Sequence, residues 1–366
     1  MSALSFILAI CAVLVLALWV LSSWIVRATR MDCGDNTLSE RVGKPDTDSP
    51  EMAQVLSMLR DVNHSLHPVP RRQKLQATRQ ALDDLFANRK LDIVSNRVNA
   101  GGVPAQWVMA PNAISNQRLL YIHGGGFYAG STFSHRTITA KLSAVTSCAV
   151  LAIDYRLMPE HSRQAGIDDC RTAYDWMLKN GPEGQDYRTP AHNVYVAGDS
   201  AGGNLTLALL LWLRDHGLRA PDAAIVLSPI TDACFNSASL RSNLKSDRIL
   251  GPIYKLLLRV PRRLLLLGHL IQTRMSPKQA QISPLYGDLS GLPPMLIHAS
   301  ESEVLYDDAR RFAKHALEAG SPVKLQTWPG MMHVWHIFNP DLPQAEQAFE
   351  EIAKFIRSCP APLHNA

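Results

Sequence analysis

Two short stretches of this 366-residue chain carry residues whose types and spacing suit acyl-transfer chemistry. Gly198-Asp199-Ser200-Ala201-Gly202 fits the pattern G-x-S-x-G. It follows the apolar run Asn193-Val194-Tyr195-Val196-Ala197 and opens a helical stretch from Leu205 to Leu213. A strained strand–turn–helix elbow needs glycine on either side, because side chains there would clash, and it lifts a serine hydroxyl into the open. The same elbow aims a helix N-terminus at developing negative charge. Ser200 is therefore the expected nucleophile. His123-Gly124-Gly125-Gly126 follows a second apolar run, Leu119–Ile122. Successive glycines let backbone N–H groups face a cleft, and each such donor stabilises a tetrahedral oxyanion by about 3–4 kcal/mol. Gly124 and Gly125, with Ala201 as third donor, are the expected oxyanion hole. No Lys-Ser/Thr pair follows these glycines, so a phosphate-binding loop is excluded. His123 is expected to fix its loop by hydrogen bonding. Asp199, beside the serine, is expected to point away as a structural hydrogen bonder.

The elements that must position these residues follow from periodicity. Short apolar runs alternate with helical stretches: strands at 119–122, 150–154, 194–197, 224–227, 295–298 and 323–328, and weaker ones near 91–98 and 106–109. Helical spacing appears at 168–178, 203–214, 304–319 and 342–358. Alternating β and α with fully apolar strands predicts a mostly parallel sheet with helices on both faces. Residues 46–90 read as helical and are broken by Pro68 and Pro70.

Hydrophobic residues make up 46% of the chain and charged residues 19%, enough for a large core. The net charge of +5 comes without a dense Lys/Arg run interleaved with aromatics, which argues against nucleic acid as a partner. Six scattered cysteines show no ligand or disulfide-framework spacing and read as free thiols. Residues 3–26 contain no charged side chain and, as a helix of about 36 Å, are long enough to cross a bilayer. A cleaved signal peptide would have a positive n-region and a shorter apolar core. The segment 1–30 is thus expected to be a membrane anchor. Arg27, Arg30, Arg41 and Lys44 all follow it, placing the body in the cytoplasm by the positive-inside rule.

Taken together, the motifs resemble those of the hormone-sensitive-lipase family of α/β-hydrolases, including bacterial esterases and arylacetamide deacetylase. The matching segments are His123-Gly124-Gly125-Gly126-Phe127, Asp154-Tyr155-Arg156-Leu157-Met158-Pro159-Glu160-His161 and Gly198–Asn204, with Ser283-Pro284-Leu285-Tyr286 and Leu292-Pro293-Pro294 further on. The resemblance covers about Leu91 to Ile356. It implies an α/β-hydrolase fold with an eight-stranded sheet and a cap built largely from N-terminal helices. It also implies carboxylic ester hydrolysis without a cofactor. On that basis 31–90 is expected to be a helical cap segment and 91–366 the catalytic domain, with the insert 235–283 contributing to the cap.

A serine hydroxyl needs a histidine to take its proton and an acid to orient that histidine. In this fold the acid precedes the histidine in sequence, and the histidine follows the last strand. His333 and His336 both lie there; Gly330-Met331-Met332-His333 resembles the family's Gly-Met-x-His segment and favours His333. Glu301, Glu303, Asp307 and Asp308 follow the strand at 295–298. The family's Asp-Pro-Leu-x-Asp segment lies in register with Glu303-Val304-Leu305-Tyr306-Asp307, which assigns Glu303, with Glu in place of Asp and Val in place of Pro. The expected substrate is a small-molecule or lipid ester of short to medium acyl chain. Amide hydrolysis, and non-catalytic ligand binding on the same fold, are the alternatives. The apolar and basic stretch 253–267 reads either as a cap helix lining an acyl pocket or as an interfacial helix on anionic lipid.

Overall fold

The computed structural model describes residues 39–45, 47–183 and 189–359. The core is a sheet of strands β1 (Ser39–Arg41), β2 (Val94–Ala100), β3 (Val103–Met109), β4 (Ile114–Ile122), β5 (Cys148–Ile153), β6 (Asn193–Asp199), β7 (Ala223–Leu227), β8 (Met295–Ser300) and β9 (Val323–Trp328). Their order is β1-β9-β8-β7-β6-β4-β5-β3-β2, and only β3 runs against the rest. Strands β5, β7 and β8 are buried along their whole length, as expected where helices cover both faces.

Strand alternation divides the core. In β4, Leu120 and Ile122 face helices α4 (Arg163–Lys179) and α5 (Ala201–Asp215), packing with Ile167, Cys170, Leu205 and Leu209. Leu119 and Tyr121 face the opposite side, against α3 (Arg136–Thr146) and α10 (Pro343–Ser358), through Ile138, Leu142, Phe349 and Ile352. Helix α9 (Tyr306–Glu318) continues the first layer, with Phe312 against Val226 and Ile297.

Two expectations need correction. The sheet has nine strands among the described residues, not eight. The extra one, β1, lies inside the segment 31–90 expected as cap. It pairs in parallel with β9, Ser39 opposite Leu325. Ser-Glu-Arg offers no apolar signal; the strand is held by backbone pairing and by ion pairs Glu40–Lys324 (2.7 Å) and Arg41–Glu301 (2.7 Å). Between 50 and 84 the segment is largely helical and breaks at Pro68 and Pro70, giving α1 (Pro50–Leu66), capped by the Ser49 hydroxyl, and α2 (Lys74–Asp84). The stretch 253–267 is not one helix either: Pro261 separates α7 (Gly251–Leu257) from α8 (Arg262–Thr273), after the short α6 (Ser239–Ser242). The apolar stretch 3–26, with its proposed anchoring role, lies outside the described residues. Among the described residues no helix is long and apolar enough to cross a membrane.

Candidate active site

In an open parallel sheet, loops at the carboxyl ends of the strands converge on one edge. Here the loops after β4, β6, β8 and β9 bring Gly124–Gly126, Ser200, Glu303 and His333 to that edge. Ser200 sits between β6 and α5 with φ 51° and ψ −115°, a conformation that costs a non-glycine residue about 1–3 kcal/mol. The flanking glycines permit it: a Cβ on Gly202 would lie 1.9 Å from the Ile122 carbonyl oxygen, and one on Gly198 2.5 Å from that of Gly202. The Ser200 Oγ lies 2.9 Å from Nε2 of His333. Nδ1 of His333 lies 2.6 Å from Oε2 of Glu303. A carboxylate only accepts, so Nδ1 carries the proton and Nε2 presents its lone pair to the serine hydroxyl. Burial opposes a charge on His333, but the hydrogen bond and negative charge of Glu303 outweigh it and raise its pKa above the ordinary 6.5. The other oxygen of the fully buried Glu303 accepts the Ser300 N–H at 2.8 Å. That bond closes the short turn after β8 and gives the longer glutamate side chain a fixed geometry.

The glycine loop departs from expectation at one position. The Gly124 N–H already donates to Oδ1 of Asp199 at 2.9 Å, so it is not turned to the cleft. Asp199 is fully buried and also accepts from Tyr121 Oη (2.6 Å), while His135 Nε2 lies 3.3 Å away. Burial works against the charge of Asp199, yet His135 and these hydrogen bonds hold its pKa below the ordinary value. The chain then reverses through Gly125 (φ 108°) and Gly126 (φ 65°). The N–H groups that remain for a cleft-facing role are those of Gly125, Gly126 and Ala201. His123 stacks on Tyr155 (centroids 4.4 Å apart) with Nδ1 2.7 Å from the Gly124 oxygen, and burial, then the nearby His135, lowers its pKa to about 4.

Comparison with known proteins decides what this geometry belongs to. The α/β-hydrolase-fold family model matches residues 119–337. The chain is 38% identical over 261 residues to an acetyl-hydrolase of Streptomyces hygroscopicus, covering 71% of this chain and 82% of that one. It is 32% identical over 282 residues to the carboxylesterase/phospholipase LipF of Mycobacterium tuberculosis, covering 75% and 73%. A solved esterase of the bacterial hormone-sensitive-lipase family superposes with TM-score 0.73 at 34% identity, covering 85% of this chain and 99% of that one. The chain belongs to the hormone-sensitive-lipase family of α/β-hydrolases. It is a carboxylic ester hydrolase.

The other candidate residues of this hydrolase are engaged elsewhere. Glu301 makes a two-pronged bond to Arg41 (2.7 and 3.0 Å). Asp307 accepts the Ser239 N–H (2.8 Å) and pairs with Arg310 (3.2 Å). Asp308 accepts the N–H groups of Thr231 and Asp232. His336 is buried 3.0 Å from His298, and burial holds its pKa well below the ordinary value. Sequence reasoning missed Tyr121 and His135, which steady Asp199. It also missed Asp247, which accepts the N–H groups of Val304, Ile249 and Leu250 and so ties the acid loop to the insert. Tyr121 stands in an apolar strand and His135 and Asp247 among polar residues, so none carries a signal that tertiary contact does not supply.

Proposed function

We propose that this hydrolase cleaves carboxylic esters through an acyl-enzyme on Ser200, with His333 as the base and Glu303 as the orienting acid. The observation that carries the reading is the continuous hydrogen-bonded line Ser200–His333–Glu303, at 2.9 and 2.6 Å. As Ser200 Oγ attacks the ester carbonyl, its proton passes to Nε2 of His333, and Glu303 stabilises the resulting imidazolium. The tetrahedral oxyanion accepts from the N–H groups of Gly125, Gly126 and Ala201. Collapse expels the alcohol, which takes the proton from Nε2. Water then repeats the sequence: it gives a proton to Nε2, attacks the acyl carbon and releases the acid, and Ser200 recovers its proton. The helices α1 and α2 and the insert 235–283 act as the cap. Arg79 of α2 supports this by donating to the Tyr128 and Met158 carbonyls beside the oxyanion loop. Acyl chains of short to medium length are the proposed substrates, and residues 3–26 the proposed anchor, with the catalytic body on the cytoplasmic side.

The test is Ser200→Ala with a panel of esters of graded acyl length. The variant should fold, lose turnover of every ester and no longer react with an organophosphonate that labels the wild type at Ser200. Retained turnover, or labelling of a different serine, refutes the assignment.

A further inference from the structure

Helices α7 and α8 are apolar on both sides. Inward, Tyr254 and Leu258 pack with Val304 and Leu305, and Leu266 and Leu270 with Cys234. Outward, Ile253 and Leu256 fall at i and i+3 of α7, and Leu264 and Ile271 at i and i+7 of α8, and all four are exposed. Leu256 and Ile271 are 67% and 69% exposed, where helices of a water-facing surface carry polar groups.

The insert's own exposed charges have one sign. Arg241, Lys245, Arg248, Lys255 and Arg259 are all exposed, and the only acidic residue between 236 and 283, Asp247, is buried, accepting the Val304 N–H of the acid loop. Exposed apolar side chains bordered by Lys and Arg, with no exposed acidic residue in the same insert, match a surface that is apolar within and anionic at its face. Residues 3–26 are equally apolar but carry no acidic group to meet these cations.

The same insert roofs the active-site edge. Asn243 donates to the carbonyls of Glu301 and Glu303, both at 2.9 Å, and Gln272 of α8 bonds the Tyr128 hydroxyl beside the oxyanion loop. We propose that the outer face of α7 and α8 docks on an anionic phospholipid surface. Ile253, Leu256, Leu264 and Ile271 enter the headgroup–acyl boundary, and Lys255 and Arg259 meet the phosphates. This docking is independent of the catalytic assignment; it places the site edge against the bilayer, where an ester dissolved in lipid would be found.

The test uses the full chain with vesicles of phosphatidylcholine alone or of equimolar phosphatidylcholine and phosphatidylglycerol, each doped with an acyl-diazirine phosphatidylcholine. After photolysis, adducts are mapped by mass spectrometry. Adducts within 251–273 should appear on the anionic vesicles and fall sharply on the neutral ones and in high salt. Lys255→Gln and Arg259→Gln together should cut that yield by about 25-fold, at about five-fold per charge. The rate on a short, water-soluble ester should not change, which reports fold and triad separately from docking. Adducts absent from 251–273, or equal on both vesicle types, overturn the proposal. So does a halving of particle mass in Leu256→Ser, which would make this face a contact between protein chains.

Discussion

Glu303→Gln isolates what the buried carboxylate does, because it keeps size and removes charge. The wild-type carboxylate accepts twice, from Ser300 N–H at 2.8 Å and from His333 Nδ1 at 2.6 Å. An amide offers one oxygen and one NH2 group, so it can accept from only one of these donors. If the oxygen stays with Ser300, the NH2 faces Nδ1. The imidazole then moves its proton to Nε2 and has no lone pair left for the Ser200 hydroxyl. If the amide flips, the Ser300 N–H is left buried against a donor, at a cost of about 1–3 kcal/mol. The first arrangement preserves the fold and gives the wrong tautomer, a defect that in other triads lowers kcat about 10⁴-fold, or about 5 kcal/mol of barrier. The assay is kcat and KM on a short chromogenic ester, with thermal unfolding measured on the same samples. Expected are a kcat loss of about 10³–10⁴, a nearly unchanged KM and a modest fall in Tm. Glu301→Gln is the control: its partner Arg41 is 57% exposed, so losing the solvent-screened pair should change kcat little. A Glu303→Gln enzyme within tenfold of wild type, or a crippled Glu301→Gln, refutes the reasoning.

Four further outcomes are expected. The lower limb of the kcat/KM–pH profile should lie above pH 6.5, because Glu303 favours the imidazolium and only neutral His333 can accept the serine proton. That stabilised cation also contributes folding stability that is present below pH 6.5 and lost as pH rises through the folded-state value, which a pH series of urea melts would register. Gly125→Ala should be far more damaging to folding than Gly126→Ala. A Cβ at 125 would lie 2.1 Å from the Ala129 oxygen at φ 108°, whereas at 126 it meets nothing within 4 Å and carries only the left-handed penalty of about 1–2 kcal/mol. Equal yields of folded protein would contradict this. Finally, the full chain should resist alkaline extraction from membranes, while deletion to about Arg30 should release active enzyme. Ready extraction of the full chain removes the anchoring proposal.

Much of the architecture was legible because parallel strands buried on both faces are read as apolar runs; β7, buried throughout, spans 223–227 where 224–227 was expected. What could not be read was set by backbone pairing. Ser39–Arg41 has no apolar pattern and becomes a strand only because β9 offers an unpaired edge. Ser200 was marked by its G-x-S-x-G elbow, and His333 and Glu303 by the family segments they resemble; these three proposed residues lie in hydrogen-bonding reach of one another. The glycine loop was misread by one residue. Successive glycines signal exposed N–H groups but do not say which of them faces inward, and here the choice is made by Asp199, 75 residues away in the chain.

Asp199 also shows why adjacency to the nucleophile is a poor guide to the acid. Two buried histidine–carboxylate pairs flank Ser200: His333–Glu303 and His135–Asp199. In both, burial disfavours the imidazolium and the carboxylate more than restores it. Their pKa directions therefore do not separate them; their geometry does. His135 spends Nε2 on Asp199 and Nδ1 on the Ser134 hydroxyl at 2.9 Å, so neither nitrogen can take a proton from Ser200. His333 spends only Nδ1 on its carboxylate and keeps Nε2 for the serine. The first pair thus acts on the glycine loop, through the Asp199–Gly124 bond, and the second on the nucleophile. Asp199→Asn should then disturb oxyanion stabilisation while leaving the Ser200–His333 line in place. It should lower kcat without moving the acid limb of the pH profile, whereas Glu303→Gln should move that limb to lower pH. If Asp199→Asn shifts the limb as far as Glu303→Gln does, the two carboxylates are not divided in this way.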